Sequence, residues 1–163
     1  MTIENTIIET LKGDEQKDSL DLIAWLKENK LNLLRSSKTT WKISAKACVV
    51  CYFRFDFDAK IITIQPIISK YGCNELSDEM QDIILANKVN GRYCGERCHG
   101  SYCSYKLKTI FGKKSSDVCG QSIIFKNPNA EENECIKELV KMRKNVIQNG
   151  MLMPTLPRNF SLV

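Results

Sequence analysis

The chain is poor in the residues that build active sites. It has a single histidine, His99. A Cys–His nucleophilic pair would have to use it, and its neighbour Cys98 is badly placed to face it. No nucleophile elbow and no phosphate-cradling glycine loop occur. Asp56 and Asp58 are close in sequence, but they read as the solvated end of a hairpin. No catalytic set follows, and a non-enzymatic domain is expected. Long apolar runs are missing too: none approaches the roughly 18 residues that span a bilayer. The N-terminus, MTIENTIIETLKGDEQKD, lacks a basic stretch followed by an apolar core, so no signal peptide is expected and the location expected is cytoplasmic. There is no internal repeat, low-complexity tract or linker. A length of 163 residues then fits one domain, residues 1–163, with a real core.

Cysteine, by contrast, is plentiful: there are eight. In a reducing compartment, clustered thiols point to metal binding, redox chemistry or burial rather than to structural disulfides. Four of them, Cys94, Cys98, Cys103 and Cys119, lie in the stretch YCGERCHGSYCSYKLKTIFGKKSSDVC, together with His99. Zinc takes thiolate or imidazole donors that converge tetrahedrally. Cys94-x3-Cys98 suits the first half of such a site, with Cys103 and Cys119 completing four thiolates and His99 in reserve. Gly95 and Gly100 supply tight turns. Arg92, Arg97 and nearby lysines would favour the thiolate form. Buried reduced thiols remain the competing reading. A c-type haem is excluded because Cys94-x3-Cys98-His99 has one residue too many. Neither common ferredoxin spacing is present.

The other cysteines read as packing residues. Cys48-x2-Cys51 resembles a knuckle, but residues three apart on a strand face opposite ways, and Cys51 belongs with the apolar face. Cys73 and Cys135 are expected to be packing residues as well, with Cys73 the replacement ligand if Cys119 is not one.

The net charge is +5 and uneven. Residues 88–114 hold seven basic residues and one acidic one, Glu96, so this segment is +6 and the remainder −1. With Tyr93, Tyr102 and Tyr105 available for stacking, the segment is also a candidate nucleic-acid-binding surface. A third possibility is a small-molecule pocket between the helices and an aromatic strand face made of Trp41, Phe53, Phe55 and Phe57.

The coarse organisation follows from periodicity. Helices are expected over 3–12 and 18–29, the second capped by Asp18 or Ser19. Trp25 should sit on its core side. Residues 31–38 read as a connector. Strong period-2 alternation in WKISAK and CVVCYFRFDFD, then KIITIQPII, predicts a three-stranded antiparallel meander over 40–68. Pro66 should end the pairing. A helix is expected over 78–89, opened by Ser77 or Asp78 and closed by Gly91. Two more strands follow, SYKLKTIFG and VCGQSIIFKN, with GKKSSD as the turn between them and Gly120 as a bulge. Asn127-Pro128-Asn129 opens a last helix over 130–148, with acids first and bases last as the helix dipole favours. The apolar tail after it should pack back as an extended strand. The whole predicts an α+β fold: a mostly antiparallel sheet of about five strands with helices on one face.

Overall fold

In the computed structural model of the protein, residues 2–68, 76–88, 106–111, 113–119 and 122–150 are described, those of 106–110 and 113–119 by their backbone. The expected α+β domain is present: a five-stranded antiparallel sheet with helices packed on one face.

Two helices come first. Helix α1, Ile3–Thr10, is capped by Thr2, whose Oγ1 accepts from the Asn5 N–H at 3.3 Å. Its buried Thr6 and Thr10 satisfy their hydroxyls on the carbonyls of Thr2 and Thr6. Helix α2, Gly13–Glu28, starts a turn and a half earlier than the expected residue 18. Gly13 does not separate the helices; its φ of +60° turns the chain so that α2 can begin at once. Asp14 and Glu15 then stand in the first turn, where the dipole favours them. Gln16 Nε2 reaches back to the carbonyls of Leu11 and Ile8 at the end of α1. Ser19, expected as a cap, is buried inside α2. Leu22, Ile23 and Leu26 are the buried stripe, and Trp25 is half-buried against the core.

The predicted meander is there and is one strand longer. Residues expected as a connector form strand β1, Asn32–Arg35, paired with β2, Thr40–Ala45. β2 pairs with β3, Cys48–Asp56, and β3 with β4, Ile61–Pro66. Pro66 is the last residue of β4, as expected. The β2–β3 register shifts: Ile43 faces Cys51 but Ser44 faces Val49, leaving Val50 as an extra residue. That bulge restarts the alternation. Cys48, Val50 and Cys51 are therefore all buried, in one core cluster, and the opposite-face reading of Cys48 and Cys51 is corrected.

Helix α3, Asp78–Ala86, is capped by Ser77, whose Oγ accepts from the Met80 N–H. It ends earlier than expected, at Asn87, whose side chain donates to the Ile83 carbonyl and to Glu132. A hairpin of β5, Lys106–Ile110, and β6, Lys113–Cys119, forms a separate two-stranded sheet. The expected turn GKKSSD is thus strand for most of its length: the connection is Phe111-Gly112, with Phe111 at φ +52°. Strand β7, Phe125–Lys126, joins the main sheet beside β4, giving the order β1-β2-β3-β4-β7. The count of five was right while the membership differed. SYKLKTIFG lies outside the main sheet, and β1 lies in it.

Helix α4, Ala130–Gln148, matches its expected bounds. Asn129 Oδ1 accepts from the Glu132 N–H, and Glu132 Oε2 accepts from the Asn129 N–H, a complete capping box. Its buried stripe, Cys135, Ile136, Leu139, Val140, Val146 and Ile147, meets β3 and β4. Across from it stand Phe53, Ile62, Ile64 and Phe125, all fully buried. Each such side chain contributes about 1.5–3 kcal/mol of transfer free energy. The expectations for Cys73, Gly91, Gly120 and the tail after Gly150 fall outside the described residues.

Candidate functional site

Cys94, Cys98, Cys103 and His99 also lie outside the described residues. The structure does describe what brackets them. On one side, Lys88 at the end of α3 forms an antiparallel bridge with Ile123, and the Ile124 N–H donates to the Asn87 carbonyl at 2.9 Å. On the other side, Lys106 at the start of β5 pairs with Cys119 at the end of β6. Lys88 and Lys106, the described residues on either side of 89–105, thus pair with Ile123 and with Cys119.

The sequence placed Cys119 on the hairpin that follows Cys103, but not its pairing with Lys106, because Lys113 to Asp117 read as a turn. The signal was available. A glycine in a short connection after an alternating segment is a hairpin mark, and Phe111-Gly112 directly follows the alternation of SYKLKTI.

The remaining described cysteines belong to the core. Cys48, Cys51 and Cys135 are free and buried. Burial pushes the Cys51 thiol far above the ordinary thiol range, against weaker opposing effects of the Gln65 backbone and Arg54. Burial also raises Cys135, helped by the carboxylates of Glu131 and Glu132. A thiol that holds its proton so firmly is neither a ready nucleophile nor a ready ligand. Among the described residues, no group of three or more His, Cys, Asp or Glu side chains is placed to hold a metal ion.

The aromatic strand face is filled by the protein itself. Trp41, Phe53 and Phe55 are buried members of the core cluster. Phe57 lies past the end of β3, partly exposed and stacked on Phe55 with ring centroids 6.2 Å apart. An open cleft of about 400 Å³ lies elsewhere, between the start of α3 and α4. Met80 and Met142 line it beside Lys141, which pairs with Glu138 at 2.6 Å and stands over the Trp25 ring. Elsewhere on the meander, Arg54 lies over the Tyr52 ring and donates to the buried Gln65.

No helix among the described residues is long and apolar enough to cross a membrane. Comparison with protein-family models, with curated proteins and with solved structures finds no match for this chain.

Proposed function

We propose that this chain is a small, non-enzymatic α+β domain that holds one structural zinc ion through Cys94, Cys98, Cys103 and Cys119, with His99 as the reserve donor. The observation that carries the reading is the pairing of Lys106 with Cys119. Paired antiparallel residues have Cα atoms about 4.5–5.5 Å apart. Cys103 precedes Lys106 by three residues, a reach of at most about 11 Å. Two thiols separated by a whole hairpin in sequence could thereby reach one tetrahedral site. The bridge from Lys88 to Ile123 acts at the other end, holding the entry to the segment near the same stretch.

The chemistry of the donor set agrees. Cys48, Cys51 and Cys135 are committed to the core, so the thiols left to bind metal are those of the cysteine-rich segment and Cys73. Four protein thiolates close the coordination shell and leave no position for a substrate, so the ion would be structural rather than catalytic. It would pin residues 92–103 to the hairpin, and its binding energy would be folding energy. The three free buried thiols accord with a reducing, cytoplasmic setting.

Metal analysis of the purified chain tests this. One equivalent of zinc is expected, lost in Cys94→Ser and Cys119→Ser and retained in Cys73→Ser. Chelation should lower the melting temperature of the parent chain and leave that of Cys119→Ser unchanged. A metal-free parent with undiminished stability would refute the reading.

A further inference from the structure

We infer that the β5–β6 hairpin is a ribbon that binds the phosphate backbone of nucleic acid. The inference stands on the lysines and the ribbon, and needs no metal. Lys106 and Lys108 lie on β5, and Lys113 and Lys114 begin β6. The register sets Thr109 opposite Lys114 and Ile110 opposite Lys113. Asp117 is the single acidic residue on the two strands. All four lysines therefore fall within the length of β5, about 13 Å at the usual strand rise. A nucleic-acid duplex presents one negative charge per roughly 1.7 Å of axis. A ribbon of about 13 Å runs past roughly seven such charges, more than the four lysines it carries.

The hairpin also has the right form. It is a two-stranded sheet of its own, making only slight contact with the other described elements. A two-stranded ribbon fits the major groove of a duplex. The register shift between Leu107 and Thr109 leaves extra residues on β6 opposite Lys108, a bulge that adds twist to the ribbon. Elsewhere the chain's charge is balanced, with residues outside 88–114 summing to −1 within a total of +5. The ribbon carries four of the seven basic residues of 88–114.

The test is fluorescence anisotropy of the zinc-supplemented full chain. The probes are a 20-mer duplex and a single strand, each over 50–200 mM salt. Engaging four phosphates predicts a log–log salt slope near −3.6 on the duplex and near −2.8 on the single strand, or about 100-fold weaker duplex binding across that range. The combined variant K106Q, K108Q, K113Q and K114Q should reduce the slope to near zero. A control of equal charge change, K17Q, K38Q, K42Q and K126Q, should keep it. Equal losses in both variants would overturn the inference, leaving only net charge. So would an absence of oligonucleotide binding at 50 mM salt. Binding to phosphatidylserine vesicles without binding to either oligonucleotide would overturn it in favour of a membrane surface. Circular dichroism of both variants keeps a folding defect from passing as lost binding.

Discussion

The turn between β2 and β3 offers a sharp test of the fold. Ala45 pairs with Cys48, so Lys46 and Ala47 form a two-residue loop, and both have positive φ, 44° and 65°. This is the pattern of a type I′ turn, which favours Asn-Gly because each position lies in the left-handed region. A residue with a Cβ in that region costs about 1–2 kcal/mol. Replacing Ala47 by glycine removes that cost. It also gives the unfolded chain more freedom, which costs about 0.4–1 kcal/mol. Ala47 is exposed, so no packing is lost. The net expectation for Ala47→Gly is a gain of about 0.5–1 kcal/mol. Ala45, two residues away, is the internal control. It is buried in β2, so Ala45→Gly loses a packed methyl and strand order, and should cost about 1 kcal/mol. Urea denaturation with a shared m-value reads both. With m near 2 kcal/mol per molar, Ala47→Gly should raise the midpoint by about 0.3–0.5 M. The melting temperature should rise by about 2–3 °C for a chain of this size. If Ala47→Gly destabilises as Ala45→Gly does, the loop is not left-handed and the β2–β3 register is wrong.

Two further outcomes follow from the same structure. Asn129→Ala removes one half of the α4 capping box and should cost about 1 kcal/mol in urea; an unchanged midpoint would mean that the box does not form in solution. The raised thiol of Cys51 makes stability fall in base. The folded state holds the proton, while the unfolded thiol loses it near pH 8.5, so the contribution is complete below that pH and is lost as pH rises above it. The loss per thiol should approach about 1.4 kcal/mol per pH unit between pH 9 and 10. Urea midpoints across that range should fall less steeply in Cys51→Ala; equal steepness would show that Cys51 titrates as freely folded as unfolded.

Local chemistry was legible wherever the signal is local. The Asn129 cap, the acidic first turn of α4 and the alternation of β3 and β4 depend on residues three or four apart, or on every second residue. They could be read without knowing any partner. Where a partner elsewhere in the chain decides, the reading failed. Asn32–Arg35 has no clean alternation and an exposed Leu34, and it is a strand because β2 offers it hydrogen bonds. The faces of Cys48 and Cys51 depend on the extra residue at Val50, which is extra only relative to β2.

The candidate site divides in the same way. Composition alone put four cysteines, the histidine and the positive charge in one segment, and assigned the remaining thiols to packing. Tertiary pairing alone tied Lys106 to Cys119 and Lys88 to Ile123. It also separated the basic hairpin from the main sheet. The physical reason is that hydrogen-bonded register joins residues far apart in the chain, and side-chain pattern within one strand does not say which strand lies beside it.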